Sequence, residues 1–435
     1  VSRITLVTPY FWPEVVSCVP LMASLAEDLV AQGYEVNVLT SAPVHWDNGQ
    51  EIADDGQDRV PLREGFGGAT VRRTRNPFPR RPGARAKLLE YAWFSAWVCW
   101  RVLTSPRADA IYVYSNPPLL GLPVAWLARL RGTPVLYNLQ DLFPESAVVS
   151  GLIPAESRVV GWLRRLERRA YGAVREVAAI SEEFAAHVKR TEPDARVRVI
   201  PNWIDTEEVG PVERGENAFR REAGLEGKFA VVYSGNLGFV HGLEALIDAA
   251  EALREVPDVA FAIVGEGQQK TELEALARAR RLTNCAFFGY QSYARIPHVY
   301  SAGDVCVVPM RRGASGSSVP SKTWSIMACA RPVVACIDAD SELARLLREI
   351  DAGVVVEPEN GAALAAAILE LRADPARAAA LGSNGRRYVE QTLSRRAVTQ
   401  LYVEAIEELT GEPRPSARRS TARSRTSPVS SGTLG

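Results

Sequence analysis

The run F-A-V-V-Y-S-G-N-L-G, residues 229–238, is the most readable unit in the chain. Phe229–Tyr233 is a short, unbroken apolar stretch, the pattern of a strand buried on both faces. Ser234-Gly235-Asn236-Leu237-Gly238 then breaks it with two glycines, and a helix-period segment follows at Leu243–Leu253. Strand, glycine loop and helix together form the repeating unit of a parallel sheet with helical crossovers. Toward the C-terminus the unit recurs, with strands predicted at Val259–Val264, Ala286–Phe288, Val305–Val308, Val333–Cys336 and Val354–Val356. Helices are predicted between them at Glu272–Arg281, Lys322–Ala330 and Ala362–Leu371.

The same rhythm runs through the first half. Strands are predicted at Ile4–Val7, Val36–Leu39, Ala69–Arg72, Ala110–Val113, Val135–Leu139, Val177–Ile180 and Val197–Ile200. Helices fall at Leu21–Gln32, Lys87–Leu103, Leu119–Arg131 and Arg158–Tyr171. Pro201–Asp205 and the charged stretch to Gly227 interrupt the alternation and read as a linker. The α/β pattern therefore predicts two Rossmann-like, doubly wound domains, residues 1–205 and 206–385, facing across a cleft at their strand carboxyl ends. Ala376–Leu409 reads as helical; its last part, 386–411, is long enough to cross back to the first domain. Pro43–Gly68 reads as a long loop, and 412–435, rich in Ser, Pro and Arg, as a disordered basic tail.

Composition limits the function. The 435 residues carry 51 Lys+Arg against 51 Asp+Glu, so the surface as a whole is no electrostatic glove for nucleic acid. The nearly apolar stretch Ala92–Trp100 falls far short of the ~20 residues needed to span a bilayer. The opening residues read as a first strand rather than a signal peptide. Six cysteines contain no C-x-x-C pair, which points to a reduced, cytoplasmic chain with no disulfide frame and no metal site.

Anion-binding chemistry collects where strands hand over to helices, because helix N–H groups and glycine loops accept negative charge there. Two loops have this form: Ser234–Gly238, and Gly313–Lys322, which reads G-A-S-G-S-S-V-P-S-K. Lys322 would add a full positive charge to the second, with Arg311 and Arg312 upstream. Gly316–Thr323 misses a P-loop by one residue, since Ser321 replaces the second glycine and Pro320 has no N–H. Asp338-Ala339-Asp340 has the D-x-D form of a cation site, but helix capping is the better reading. The loop after the first strand lacks G-x-G-x-x-G, so a dinucleotide is disfavoured.

Taken in order, a set of short motifs resembles the family-4 glycosyltransferases. They are T-P-Y-F-W-P-E (8–14), Q-D-L-F-P-E (140–145), A-I-S-E-E-F (179–184), V-I-P-N-W-I-D (199–205), Y-S-G-N-L-G (233–238), I-V-G-E-G (263–267), F-F-G-Y (287–290), G-D-V-C-V-V-P (303–309), V-P-S-K (319–322) and M-A-C-A-R-P-V-V-A (327–335). The match spans about residues 3 to 405 and is similar to the exopolysaccharide and O-antigen branch that includes the fucosamine transferases. The resemblance implies a GT-B fold, with an acceptor-binding first domain and a nucleotide-sugar-binding second. It implies retaining, metal-independent transfer without a cofactor. By position, Gly235, Asn236, Gly238, the N–H groups of Ser317, Ser318 and Val319, and Lys322 would face the diphosphate. Glu266, Gly289 and Tyr290 would border the base and ribose. A UDP-sugar is favoured over a GDP-sugar.

The chain departs from the wider family where Asn236 and His241 replace an Arg and a Lys, and where Ser317 and Ser325 replace the glutamates of E-x7-E. The burden of neutralising the leaving diphosphate then shifts to Lys322, with Arg311 or Arg312 as reserve cations. Asp141 and Glu145, after the strand Val135–Leu139, are candidates to orient or deprotonate an acceptor hydroxyl; His241 reads as a surface residue. Leu89, Trp93, Trp97, Trp100 and Leu103 repeat at helical spacing behind Arg80, Arg81, Arg85 and Lys87. They fit either a helix docked on an anionic membrane, as a peripheral protein at the inner face of the cell membrane would use, or a core-packed crossover. With the basic stretches Val159–Arg169 and Arg414–Arg425, these residues favour the membrane reading and a polyprenyl-linked or glycan acceptor. The sequence thus predicts transfer of a hexose or N-acetylhexosamine to such an acceptor. A degenerate nucleotide- or lipid-binding subunit and a sugar-nucleotide epimerase on the same scaffold are the rival readings.

Overall fold

The computed structural model describes residues 1–14, 16–43, 45–46, 50–51, 60–78, 84–149, 151, 153–316 and 319–411. The N-terminal half contributes strands β1 (Arg3–Val7), β2 (Glu35–Ser41), β3 (His45–Trp46), β4 (Gln50–Glu51), β5 (Arg63–Phe66), β6 (Ala69–Thr74), β7 (Ala110–Tyr114), β8 (Val135–Leu139), β9 (Glu176–Ala179) and β10 (Val197–Val199). Its helices are α1 (Val19–Ala31), α2 (Ala84–Thr104), α3 (Gly121–Leu130), α4 (Glu145–Val149), α5 (Arg158–Ala173) and α6 (Glu182–Thr191). Eight of the strands form one sheet in the order β10-β9-β8-β7-β1-β2-β6-β5. All neighbours run parallel except β5, which pairs antiparallel with β6 at the edge.

The second half contributes β11 (Phe229–Ser234), β12 (Val259–Val264), β13 (Cys285–Phe288), β14 (Val305–Pro309), β15 (Val333–Cys336) and β16 (Gly353–Val356). Its helices are α7 (Ala218–Glu222), α8 (Glu244–Ala252), α9 (Lys270–Ala279), α10 (Ile296–Ser301), α11 (Lys322–Ala328), α12 (Glu342–Glu349), α13 (Gly361–Ala373), α14 (Pro375–Thr392) and α15 (Arg395–Thr410). These six strands form a parallel sheet in the order β13-β12-β11-β14-β15-β16. The chain winds outward from β11 to β13, then returns to the other side at β14. Ligands of open α/β sheets sit at such a switch point, outside the strand carboxyl ends. Here that position belongs to the loops after β11 and β14.

The two doubly wound sheets agree with the α/β reading of the sequence. Two expectations need correction. Pro43–Gly68, read as loop, contains β5 and the β3–β4 pair, with 44, 47–49 and 52–59 outside the described residues. Arg63–Phe66 escaped notice because R-E-G-F carries no β-branched residue and lies on an edge. The stretch up to Gly227, read as linker, holds α7, which is built into the second half. There Phe219 meets Phe288 edge-on at 5.3 Å, and Arg220, 2% exposed, donates to Asp304. The predicted basic tail, 412–435, lies outside the described residues.

The last helix leaves the second sheet. Tyr402 of α15 is fully buried between Tyr112 of β7 and Trp203, with ring centroids 5.6 and 5.7 Å apart. Its hydroxyl accepts from Asn138 Nδ2 at 2.7 Å. Arg395, at the start of α15, bonds Asp28 and Glu27 of α1 and Asp205.

The strand carboxyl ends of the two sheets face each other, and two helix N-termini meet there. Ser181 caps α6 and Ser341 caps α12. The Glu342 carboxylate accepts the N–H groups of Glu182 and Glu183 at 3.2 and 3.0 Å. In return the Glu183 carboxylate accepts the Glu342 N–H at 2.8 Å and bonds Arg345.

Candidate active site

The loop after β11 is fixed by backbone bonds. Gly235 N–H donates to the Val264 carbonyl at 3.0 Å, and Leu237 N–H to the Glu266 carbonyl at 2.8 Å. The strand-end loops approach so closely that a Cβ on Gly265 would lie 1.9 Å from the Gly235 carbonyl oxygen. Both glycines have positive φ, 152° and 141°, so that no other residue fits this crossing. Among the described residues the N–H groups of Asn236 and Gly238 remain uncommitted by hydrogen bonds.

Lys322 is the first residue of α11, and its ammonium reaches this loop. Nζ donates to the Tyr233 hydroxyl at 2.9 Å and lies 4.3 Å from the centre of the Tyr233 ring. A Cβ on Gly235 would stand 3.0 Å from it. Tyr233 in turn donates to the Asn236 carbonyl at 2.7 Å. The charge therefore stands against the loop after β11, at the switch point of the second sheet. Burial lowers the Lys322 ammonium to about 7, because among the described residues no carboxylate stands by to compensate for its lost hydration.

His241 is the residue whose sequence reading fails. It is only partly exposed, 6.5 Å from the Tyr233 ring, with Nδ1 buried and lacking a hydrogen-bond partner. Burial first, then the Lys322 charge, depress it to about 3, so the ring is neutral. Its place beside Lys322 was hidden because the intervening Phe239–His241 turn is 3₁₀ rather than α. Arg311, the reserve cation, is engaged by Glu244 at 3.0 Å, and Gln269 also donates to that carboxylate.

Among the described residues, the other predicted donor-side residues follow β11, β12, β13 and β14. The Asn236 amide is wedged against Gly238 and Gly267. Glu266 pairs with Lys270, and a Cβ on Gly289 would approach its carboxylate at 3.4 Å. Tyr290 follows, 38% exposed. Val319 packs against the apolar clusters of both halves; Ser317 and Ser318 lie outside the described residues. The D-x-D decoy serves the loop: Asp338 accepts the Gly313 N–H at 2.9 Å. The predicted helix cap there is Ser341, not either aspartate.

In the first half the two candidate carboxylates separate. Asp141 follows β8 with its surface open to water, yet protein crowds it on its other sides. That burial raises it to about 6. Glu145 turns elsewhere: Arg164 holds it at 2.8 Å, and it stands with Glu167 of α5 and His187 of α6. Helix α4 begins at Glu145 and swings that side chain toward α5, away from Asp141.

Comparison with known proteins agrees with this architecture. Residues 19–203 match the family described as "Glycosyl transferase 4-like domain", and residues 215–388 match "Glycosyl transferases group 1". The Escherichia coli protein named "Putative colanic acid biosynthesis glycosyl transferase WcaI" is 30% identical over 405 residues, 91% of this chain and 97% of the relative. The chain is a family-4 glycosyltransferase of the GT-B fold. A Pseudomonas aeruginosa relative named "Probable glycosyltransferase WbjE" is 29% identical over 61% of this chain and 66% of its own. Among solved structures, sucrose-phosphate synthase from Thermosynechococcus elongatus superimposes with a TM-score of 0.74 at 21% identity, over 94% of this chain and 99% of its own. HepE from Anabaena in complex with UDP and glucose gives 0.68 at 18%, over 94% and 100%.

Proposed function

We propose that this glycosyltransferase moves a hexose or N-acetylhexosamine, with retention and without a metal ion, from a UDP-sugar to a lipid-linked or polysaccharide acceptor at the inner face of the cell membrane. The carrying observation is Lys322, a half-buried ammonium set against Tyr233 beside the Gly235 loop. The leaving group is a diphosphate whose charge grows as the bond from the anomeric carbon breaks. A fixed ammonium and the uncommitted N–H groups of Asn236 and Gly238 stabilise that charge without reorganising. Neutral His241 borders the same spot. Glu266, Gly289 and Tyr290 line the outer edge, where base and ribose would lie. The second sheet's half, 206–385, would thus hold the donor, and 1–205 the acceptor. Asp141 supports the acceptor side: a carboxylate near 6 is ionised at neutral pH, yet basic enough to take the hydroxyl proton as the new glycosidic bond forms. The HepE complex supports UDP, and the WcaI name supports an envelope polysaccharide acceptor.

The test is incubation of the purified protein with labelled UDP- and GDP-sugars and a membrane lipid extract. Label passing from a UDP-sugar into lipid or glycan is the expected result. Donor binding without turnover overturns it in favour of a degenerate subunit, and an isomerised nucleotide sugar in favour of epimerisation.

A further inference from the structure

Helices α2, α3 and α5 lie side by side on one face of the first sheet. Each buries one stripe against the strands, and each turns an apolar stripe to water. On α2, Leu89, Trp93, Trp100 and Leu103 are exposed. At 100° per residue they fall within about 80° of arc, opposite buried Phe94 and Val98. Helix α3 adds Trp126 and Leu130, one turn apart, and α5 adds Trp162. Trp100, Trp126 and Trp162 are each more than half exposed, at 55%, 54% and 55%. Isolated exposed hydrophobics are ordinary, but three indoles more than half exposed on three adjacent helices form a patch that calls for a cover.

The chemistry between the indoles names the cover. Trp126 and Arg129 of α3 share a groove with Arg165, Arg168 and Arg169 of α5 and with Glu192. Glu192 neutralises Arg168 at 3.0 Å, whereas Arg165 and Arg169 enter no ion pair among the described residues. The acids on these helices are already engaged: Glu90 bonds Lys87, and buried Glu167 bonds Tyr171 and His187. A second copy of this chain, docked through the same face about a two-fold axis, would set arginines against arginines. A sheet of lipid phosphates over acyl chains satisfies both the arginines and the indoles.

We propose that the α2–α3–α5 face docks on an anionic phospholipid bilayer, with Trp100, Trp126 and Trp162 at headgroup depth and Arg165 and Arg169 on lipid phosphates. This deepens the lipid-linked acceptor reading, and rests on it for its purpose. Docking brings the first half of the enzyme to the plane where such an acceptor is anchored.

The experiment sediments the full chain with vesicles of phosphatidylcholine alone and of phosphatidylcholine with phosphatidylglycerol. Binding to the second only, with blue-shifted tryptophan emission quenched by brominated acyl chains, is expected. R165E/R169E should weaken that binding by about tenfold or more, and W126S/W162S should abolish most of the blue shift. Both variants keep wild-type transfer to a water-soluble acceptor analogue, because neither pair belongs to the site around Lys322. Absent transfer in wild type would therefore sink the reaction, while absent vesicle binding would sink only the docking face. The proposal also fails if R165E/R169E binds as wild type, or if sedimentation equilibrium shows a dimer that W126S/W162S dissolves.

Discussion

Lys322 holds its charge at a cost to the fold. Its proton affinity falls from the ordinary 10.5 to about 7, so between those values the unfolded chain keeps a proton the folded chain has released. Stability contributed at this position therefore rises with pH across that window, and at neutral pH the buried charge is a liability. A charge held against its own fold is the pattern of a functional residue. K322A should accordingly cut kcat by on the order of 10²-fold or more, as loss of one transition-state electrostatic contact does, with no drop in melting temperature. A variant that melts early would make Lys322 structural. The same residue fixes the basic limb of the pH profile. In the free enzyme Lys322 loses its proton above about 7 and Asp141 gains one below about 6, so kcat/KM should pass through a narrow bell between those limbs. A bound diphosphate favours the charged ammonium, so kcat should hold to higher pH than kcat/KM does. D141N should erase the acid limb and leave the basic one in place.

The elements show where a one-dimensional reading stops. Strand β12 and the α5 helix were legible because local pattern dictates them: an unbroken apolar run, and a basic amphipathic stretch at helical spacing. The pocket around Lys322 was half legible. Its loops carry glycines that announce close approach, but nothing local tells that Tyr233 points back to cradle Nζ or that His241 turns inward. Glu145 misled because its spacing from Asp141 is short in sequence while α4 turns it away. The α6–α12 contact was illegible altogether, since nothing in S-E-E-F or S-E-L announces a partner so far away along the chain. Only the fold brings the two N-termini together, so that each glutamate satisfies the other helix's orphan N–H groups. If that exchange holds the two halves in register, E342A should expose both ends at once. Amide exchange at Glu182 and Glu183 should accelerate in E342A, and E183A should do the same to Glu342, while β8 and β12 stay protected. Acceleration confined to the mutated helix would reduce the contact to incidental proximity.

At the scale of the whole molecule, the chain's order and its packing disagree, and α15 is where they do. It follows the second sheet in sequence yet is buried in the first, with Tyr402 filling the space between Tyr112 and Trp203 and accepting from Asn138 on β8. Arg395 ties its start to α1 and to Asp205. Arg395 N–H also bonds the Ile204 carbonyl, and Ile204 N–H the Leu393 carbonyl. The two strands of chain that pass between the halves are thus stitched together where they cross, which couples the first sheet's stability to the last helix. Y402A would leave a ring-sized cavity at a site with 0% exposure and should cost about 3–5 kcal/mol. Y402F keeps the packing but leaves buried Asn138 short of a partner, at about 1–3 kcal/mol. Denaturant melts followed by hydrogen exchange should place the loss in β7 and β8 of the first sheet, not in β14 and β15, although the mutation lies far along the chain from either strand. Loss of protection in the second sheet instead would mean that α15 stabilises the half it follows in sequence, and that its contact with the first is a consequence rather than a cause of their arrangement.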